Sequence, residues 1–226
     1  TAPYTFAYTI NGVAQAPVIS NGAGVATLNA LTNVAGPLVY AITMVTDNSS
    51  TLCSQTFNNV STTVTVNDLP TASISGSATA VCLNAASPTI TLTGNGGTAP
   101  YTFIYSINGV PQPAVVSNAA GSYLITVPTT VANTFTYAVT SVQEGSANAC
   151  TRSNLTGQSA TVIVNPLPTA VIAGSTTVCL NAPSPPVTFT ASGGTAPYTF
   201  AYTINGVAQA PVISNGAGVA TLNAQT

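Results

Sequence analysis

The chain has 226 residues, of which one is basic (Arg152) and three are acidic (Asp47, Asp68, Glu144), so that charged residues make up 2 % of it against roughly a quarter in an ordinary soluble domain. Without clustered Lys and Arg it cannot neutralise phosphates, which excludes nucleic-acid binding and electrostatic attachment to a membrane surface. At 46 % hydrophobic with alternating patterning it can bury a core, while Thr, Ser, Asn or Gly interrupts every apolar run well short of the roughly 20 residues of a spanning helix.

The segment Thr1-Ala-Pro-Tyr-Thr-Phe-Ala-Tyr-Thr-Ile-Asn-Gly-Val13 returns as Thr98 to Val110 and again, letter for letter, as Thr195 to Val207, at a period of 97 residues. A repeat of that length is a domain rather than a solenoid turn, and a transmembrane barrel carries no such period. Tyr101, Phe103, Tyr105 and Ile107 alternate with Thr102, Ile104 and Ser106, which is the period of a half-buried strand. Asn-Gly then supplies the φ > 0 positions of a type I′ hairpin turn at Asn11-Gly12, Asn108-Gly109 and Asn205-Gly206.

In chain order, strands are expected at Tyr4 to Ile10, Val18-Ile19, Val25 to Leu28, Leu38 to Val45 and, after a polar loop holding Asp47 and Cys53, Ser61 to Val66. Asn67-Asp-Leu-Pro70 is a junction, matched later by Asn165-Pro-Leu-Pro168. Both are short, so consecutive domains are expected to stack end to end with little freedom. The complete unit between them reads as strands at Thr71–Ile74, Thr89–Thr93, the hairpin strand from Tyr101, about 113–117, 122–127, 134–142 and 159–164. Seven short strands without helical periodicity predict an all-β fold of tandem immunoglobulin-like antiparallel β-sandwich domains. The domains are expected at 1–67 (lacking its first two strands), 68–165 (complete) and 166–226 (the first part of a third). Thr1 falls inside a repeat, so the chain reads as a window on a longer protein whose open ends are completed by covalent neighbours or by copies of itself in a filament. Core aromatics are expected at Phe6, Tyr8, Tyr40, Phe103, Tyr105 and Tyr137.

Residues 1–30 are identical to 195–224, whereas the middle copy differs at many positions (Ala7 against Ile104, Ala14 against Pro111). Next-nearest repeats are thus more alike than neighbours, as duplication of a two-domain block would leave them.

The sequence offers no catalytic constellation. General acid–base work needs a titratable pair, and one carboxylate recurs per repeat, Asp47 aligning with Glu144; with no His in the chain, triad chemistry is unavailable. A calcium site wants several carboxylates, and Asp68 at one junction is replaced by Pro166 at the next. No cofactor, no metal and no enzymatic activity are expected. Glu144 and Arg152 flank one loop and are expected to pair across it. Sequons at Asn48, Asn59 and Asn154 carry little weight in so Ser/Thr/Asn-rich a chain.

The recurring reactive side chains are cysteines: Cys53 and Cys150 are one period apart, and so are Cys82 and Cys179. Without C-x-x-C or a His partner they read as disulfide candidates of an oxidising, extracellular setting rather than a zinc or redox site. Base rates favour a bridge inside each domain, Cys82 to Cys150. Strand order favours another pairing, since the two loops fall at opposite poles, and Cys82 would then reach the successor of Cys150 in the following domain. Free or intermolecular thiols are the third reading.

The motifs Val81-Cys-Leu-Asn84, Ser87-Pro-Thr-Ile-Thr-Leu-Thr93, Gly96-Gly-Thr-Ala-Pro-Tyr-Thr-Phe103, Thr136-Tyr-Ala-Val139 and Val162 to Pro168 resemble the PKD-like and immunoglobulin-like tandem repeats of giant surface proteins of Bacteroidota. The resemblance spans the whole chain. It implies an extracellular, cell-surface location and a structural role as the stalk or filament of an adhesin. The alternative is a carbohydrate- or surface-binding module with a glycan or surface ligand, for which Tyr101 and Tyr105 are the aromatic platform.

Overall fold

Alternation of apolar with hydroxylated residues leaves this chain little choice but strands, and the computed structural model contains no helix among the described residues, 2–76 and 78–223. The first segment is one sheet of β1 (Tyr4–Ile10), β2 (Val13–Ala14), β3 (Val18–Ile19), β4 (Gly36–Asp47) and β5 (Ser54–Val66). The long strands run in the order β1-β4-β5, with β2 and β3 hairpinned onto β1. β5 begins seven residues before the expected Ser61, because Ser54, Gln55 and Thr56 continue the ladder to Thr46, Val45 and Met44 beyond a bulge. Val25 to Leu28, expected as a strand, is none.

The middle segment is a sandwich. One sheet is β12-β8-β6, made of β6 (Thr71–Gly76), β8 (Thr89–Asn95) and β12 (Ser122–Thr126). The other runs β10-β9-β13-β15-β7, from β7 (Ala80–Cys82), β9 (Thr102–Ile107), β10 (Val110–Pro111), β13 (Asn133–Gln143) and β15 (Ser159–Asn165). Two short strands attach to it: β11 (Val115–Val116) pairs with β9 and β14 (Thr151–Ser153) with β13. Sequence periodicity is blind to three-residue strands, so β7 and β14 went unexpected, and the strand expected at 113–117 shrinks to β11. The purely antiparallel expectation is also corrected, because β7 lies parallel to β15 with Val81 opposite Val164. After β6 the chain crosses to the other sheet before turning back into β8, and that crossing fixes the parallel sense.

Between the sheets lie Ile90, Leu92, Phe103, Tyr105, Val127, Tyr137, Val139, Val142 and Val162. Phe103 is 0 % exposed and Tyr137 1 %, and each fully buried side chain of this kind stabilises by about 1.5–3 kcal/mol. The counterparts Phe6, Tyr8 and Tyr40 of the first segment are only half-buried, because no second sheet covers them.

The third segment has a three-stranded sheet of β16 (Thr169–Ala173), β17 (Pro186–Ser192) and, at its other edge, β22 (Val219–Asn223). Between them come the two-residue strands β18 (Thr199–Phe200), β19 (Thr203–Ile204), β20 (Val207–Ala208) and β21 (Val212–Ile213), paired only with one another. Phe189, Ala191, Phe200 and Ala220 form its small core.

Candidate functional site

The hairpin turns adopt the backbone their residues favour: φ is 50° and 80° at Asn11-Gly12, 50° and 79° at Asn108-Gly109, and 49° and 83° at Asn205-Gly206. The sequence did not disclose a second task of the turn asparagine. Asn108 Nδ2 donates to the Thr134 carbonyl (2.9 Å) and its Oδ1 accepts from Thr136 N–H (2.7 Å), stitching the hairpin tip to β13. Asn11 does the same against Pro37 and Val39. Three serines recur in another unforeseen role, with Ser20, Ser117 and Ser214 each accepting the backbone N–H of the hairpin tyrosine, Tyr4, Tyr101 and Tyr198.

Tyr101 and Tyr105 form no exposed platform. Both rings are buried in the core, and the Tyr101 hydroxyl donates to the Gly96 carbonyl at 2.9 Å. Alternation had already placed them on the inward face, since residues two apart share one side of a strand.

The expected Glu144–Arg152 pair does not form. Glu144 is 4 % exposed and spends its carboxylate on backbone: Oε2 accepts from Thr98 N–H (3.1 Å) and Ser146 N–H (3.0 Å), and Oε1 from Cys150 N–H (3.1 Å) and the Ser146 hydroxyl. The Ser146 hydroxyl and these N–H groups together hold its pKa down at about 2, against the opposing effect of burial. A carboxylate that accepts several donors is favoured in its charged form. Asp47 occupies the same place in the first segment, where Oδ1 accepts from the Ser49 hydroxyl and Cys53 N–H, and its pKa is likewise lowered. The recurring acid is thus a latch closing the loop that holds the cysteine.

Arg152 turns the other way. Its Nε donates to the Pro70 carbonyl (2.8 Å) and Nη2 to that of Leu69 (3.4 Å), and Pro70 is itself fully buried. The guanidinium, rich in donors and always charged, binds the last two residues of the junction to the body of the middle sandwich.

All four cysteines are free thiols, and Cys53, Cys82 and Cys179 are exposed. No Cys82–Cys150 bridge exists, and the strand order shows why. Cys82 sits beside Asn165 at one end of the sandwich, and Cys150 precedes Thr151, which pairs with Gln143 at the other. β13 spans that distance from Asn133 to Gln143, about 30 Å, where a disulfide tolerates a Cα separation of about 7 Å.

Among the described residues no group of three or more His, Cys, Asp or Glu is placed to hold a metal ion, and no helix is long and apolar enough to cross a membrane. One open concavity is a groove of roughly 290 Å³ on the first segment, with Phe6, Tyr8, Leu28, Tyr40, Ile42 and Val60 in its lining. Its walls are mostly apolar, and the ionisable side chains in its lining are the phenols of Tyr8 and Tyr40.

No family model matches the chain, and no curated protein does. Among solved structures, one from work on the host cell surface retention of a 1.5-MDa bacterial ice-binding adhesin is similar at 17 % identity and a TM-score of 0.40. It covers 97 % of this chain and 74 % of that one. A likeness this loose carries no argument, and the all-β reading stands on the strands themselves.

Proposed function

We propose that the chain is part of an extracellular structural array, the stalk or filament of a cell-surface adhesin, built from domains of about 97 residues and without catalytic activity. The junction carries this reading. β5 ends at Val66 and β6 begins at Thr71; β15 ends at Asn165 and β16 begins at Thr169. Four residues or fewer, with Pro in them, leave no slack between consecutive sandwiches. In the middle unit, Arg152 and the burial of Pro70 pin the last two residues of the preceding junction to the sandwich they enter. Such a joint suits a load-bearing rod. A surface with almost no charge favours lateral contact through Thr, Ser and Asn, and leaves trypsin-like proteases one basic target, Arg152.

Electron micrographs of the intact surface protein test this reading. They are expected to show a straight filament whose axial repeat is about 35–40 Å, the length of a ten-residue strand with its loops. Isolated beads on a slack string would refute it.

A further inference from the structure

With a single Lys or Arg in the chain, Arg152–Ser153 is the one bond open to a protease that selects a cationic side chain. Such an enzyme asks three things of its substrate. The cationic side chain must enter a specificity pocket, the backbone must lie extended in the cleft, and the carbonyl must be open to attack.

The fold withholds all three. The half-buried Arg152 side chain is engaged at the junction, with Nε donating to the Pro70 carbonyl at 2.8 Å and Nη2 to that of Leu69 at 3.4 Å. The Arg152 carbonyl accepts the Ser141 hydroxyl at 3.1 Å. The backbone of β14 lies in the ladder on β13, with Arg152 opposite Val142. Both flanks are tied down as well. Glu144 N–H donates to the Cys150 carbonyl (3.1 Å) while its carboxylate accepts from Cys150 N–H, and Leu155 N–H donates to the Thr140 carbonyl (3.0 Å).

These ties are nearly all polar. Among residues 146–158, Leu155 packs against the core and β14 pairs with β13 alone. A segment held this way opens without unfolding the sandwich beneath it. The guanidinium, a charge-assisted donor, is the anchor that reaches outside the segment, to residues 82 and 83 positions earlier in the chain.

We propose that Arg152–Ser153 is a guarded severing site, cut by an extracellular protease of trypsin-like specificity when the Asn67–Pro70 junction releases the guanidinium. Strain that draws the Pro70 and Leu69 carbonyls away frees the side chain the protease must hold. Hydrolysis then consumes one water, breaks the C–N bond, and leaves a carboxylate on Arg152 and an amine on Ser153. After the cut, β15 and all that follows it are held only by ladders to β13 and β7 and by the buried Val162 and Val164. A covalent array thus becomes one that load can part at this domain. The first segment carries Gln55 at the aligned position, so the site belongs to one kind of repeat.

The test digests the full 226-residue chain with trypsin in native buffer across a urea series. Slow release of fragments 1–152 and 153–226 is expected by mass spectrometry. The rate should climb with urea far less steeply than global unfolding followed by circular dichroism, because a small opening exposes little surface. Arg152→Lys keeps a cleavable cation without the planar fork that spans two carbonyls. Normalised to the matching unfolded peptide, its cut is expected to be about 10-fold faster, the effect of losing one charged hydrogen bond. Arg152→Gln is expected to stay whole. Wild-type cleavage with the full urea dependence of global unfolding, equal normalised rates for wild type and Arg152→Lys, or native cleavage as fast as that of the unfolded peptide would each overturn the proposal. It takes only its extracellular setting from the reading above: a slack string in micrographs leaves the guarded bond standing, and a failed digestion leaves the filament.

Discussion

Pulling on the middle sandwich through its two junctions draws β6 and β7 toward one pole and β15 toward the other. Because β7 and β15 are parallel, the hydrogen bonds between them are loaded in shear and resist together, whereas an antiparallel hairpin pulled from its open end yields one bond at a time. The clamp runs from Ile163 N–H on the Thr79 carbonyl (2.9 Å) to Leu83 N–H on the Asn165 carbonyl (2.8 Å), with Val81 at its centre. Val81→Pro deletes the central donor and leaves the outer bonds. One net hydrogen bond and a partly solvated orphan carbonyl amount to about 1.5 kcal/mol on this edge strand. If the clamp breaks at the transition state, the whole of that appears in the unfolding rate, and the lifetime at constant force shortens about 10-fold. Ile125→Val on β12 serves as the control, since it costs a comparable 0.5–1.5 kcal/mol in solution without touching the clamp. Single-molecule extension should show the shortened lifetime for Val81→Pro and little change for the control. Each event should release about 300 Å of chain, the contour of roughly 97 residues less the folded length. Equal lifetimes for wild type and Val81→Pro, or an equal loss in the control, would falsify the shear argument.

Acid should loosen the latch. Glu144 titrates at about 2 in the folded chain against 4.5 for the free side chain, so its contribution is complete above pH 4.5 and is lost as pH falls toward 2. Glu144→Gln should lower stability at pH 7 and flatten that acid limb in denaturant titrations; an unchanged limb would show that the latch does not couple to folding. At Gly94 an added Cβ would meet the Tyr101 ring at 2.4 Å, yet the third segment carries Ala191 there with Tyr198 half-exposed. Gly94→Ala is therefore expected to push Tyr101 outward and to cost about 1–3 kcal/mol rather than unfold the sandwich, with tyrosine solvent exposure by NMR reporting the shift. Asn108→Ala removes two bonds to β13 and a residue tolerant of φ > 0. A loss of about 1–3 kcal/mol in thermal or chemical unfolding is expected, and a neutral result would mean the turn is held by the β9–β10 pairing alone.

The sequence was informative wherever periodicity and turn chemistry act locally. Phe103, Tyr105 and Tyr137 sit at period-two positions of their strands, and the structure buries them. Asn-Gly needs φ > 0, and the turns have it. It was uninformative where a partner decides. The residues of Val25–Leu28 and Val219–Leu222 are the same four letters, one set in coil and the other in β22, because only the second has β17 beside it. No single-sequence pattern can separate them. β7 escaped notice for the same reason, since three residues have no period and are a strand only because β15 is adjacent. Glu144 and Arg152 are eight residues apart with opposite charges, and pairing was the natural expectation. Four backbone and hydroxyl donors already meet the carboxylate's needs, and two junction carbonyls claim the guanidinium, so hydrogen bonding that is invisible in the sequence overrode Coulomb attraction.

One sequence with two available neighbours also bears on how the chain is made. Domains emerge from the ribosome N-terminal first, and repeat arrays misassemble when a newly made strand joins an older domain. Residues 195–224 carry every side chain by which residues 1–30 hold β4, so they are a perfect intruder there. The copy made between them is a poor one, with Ile104 in place of Ala7 and Pro111 in place of Ala14. By the time the intruder is synthesised, the β1–β4 pairing is closed and a complete sandwich, buried around Phe103 and Tyr137, stands between the two. Alternating unlike repeats thus turns distance along the chain into a delay, and the delay protects each domain from its twin.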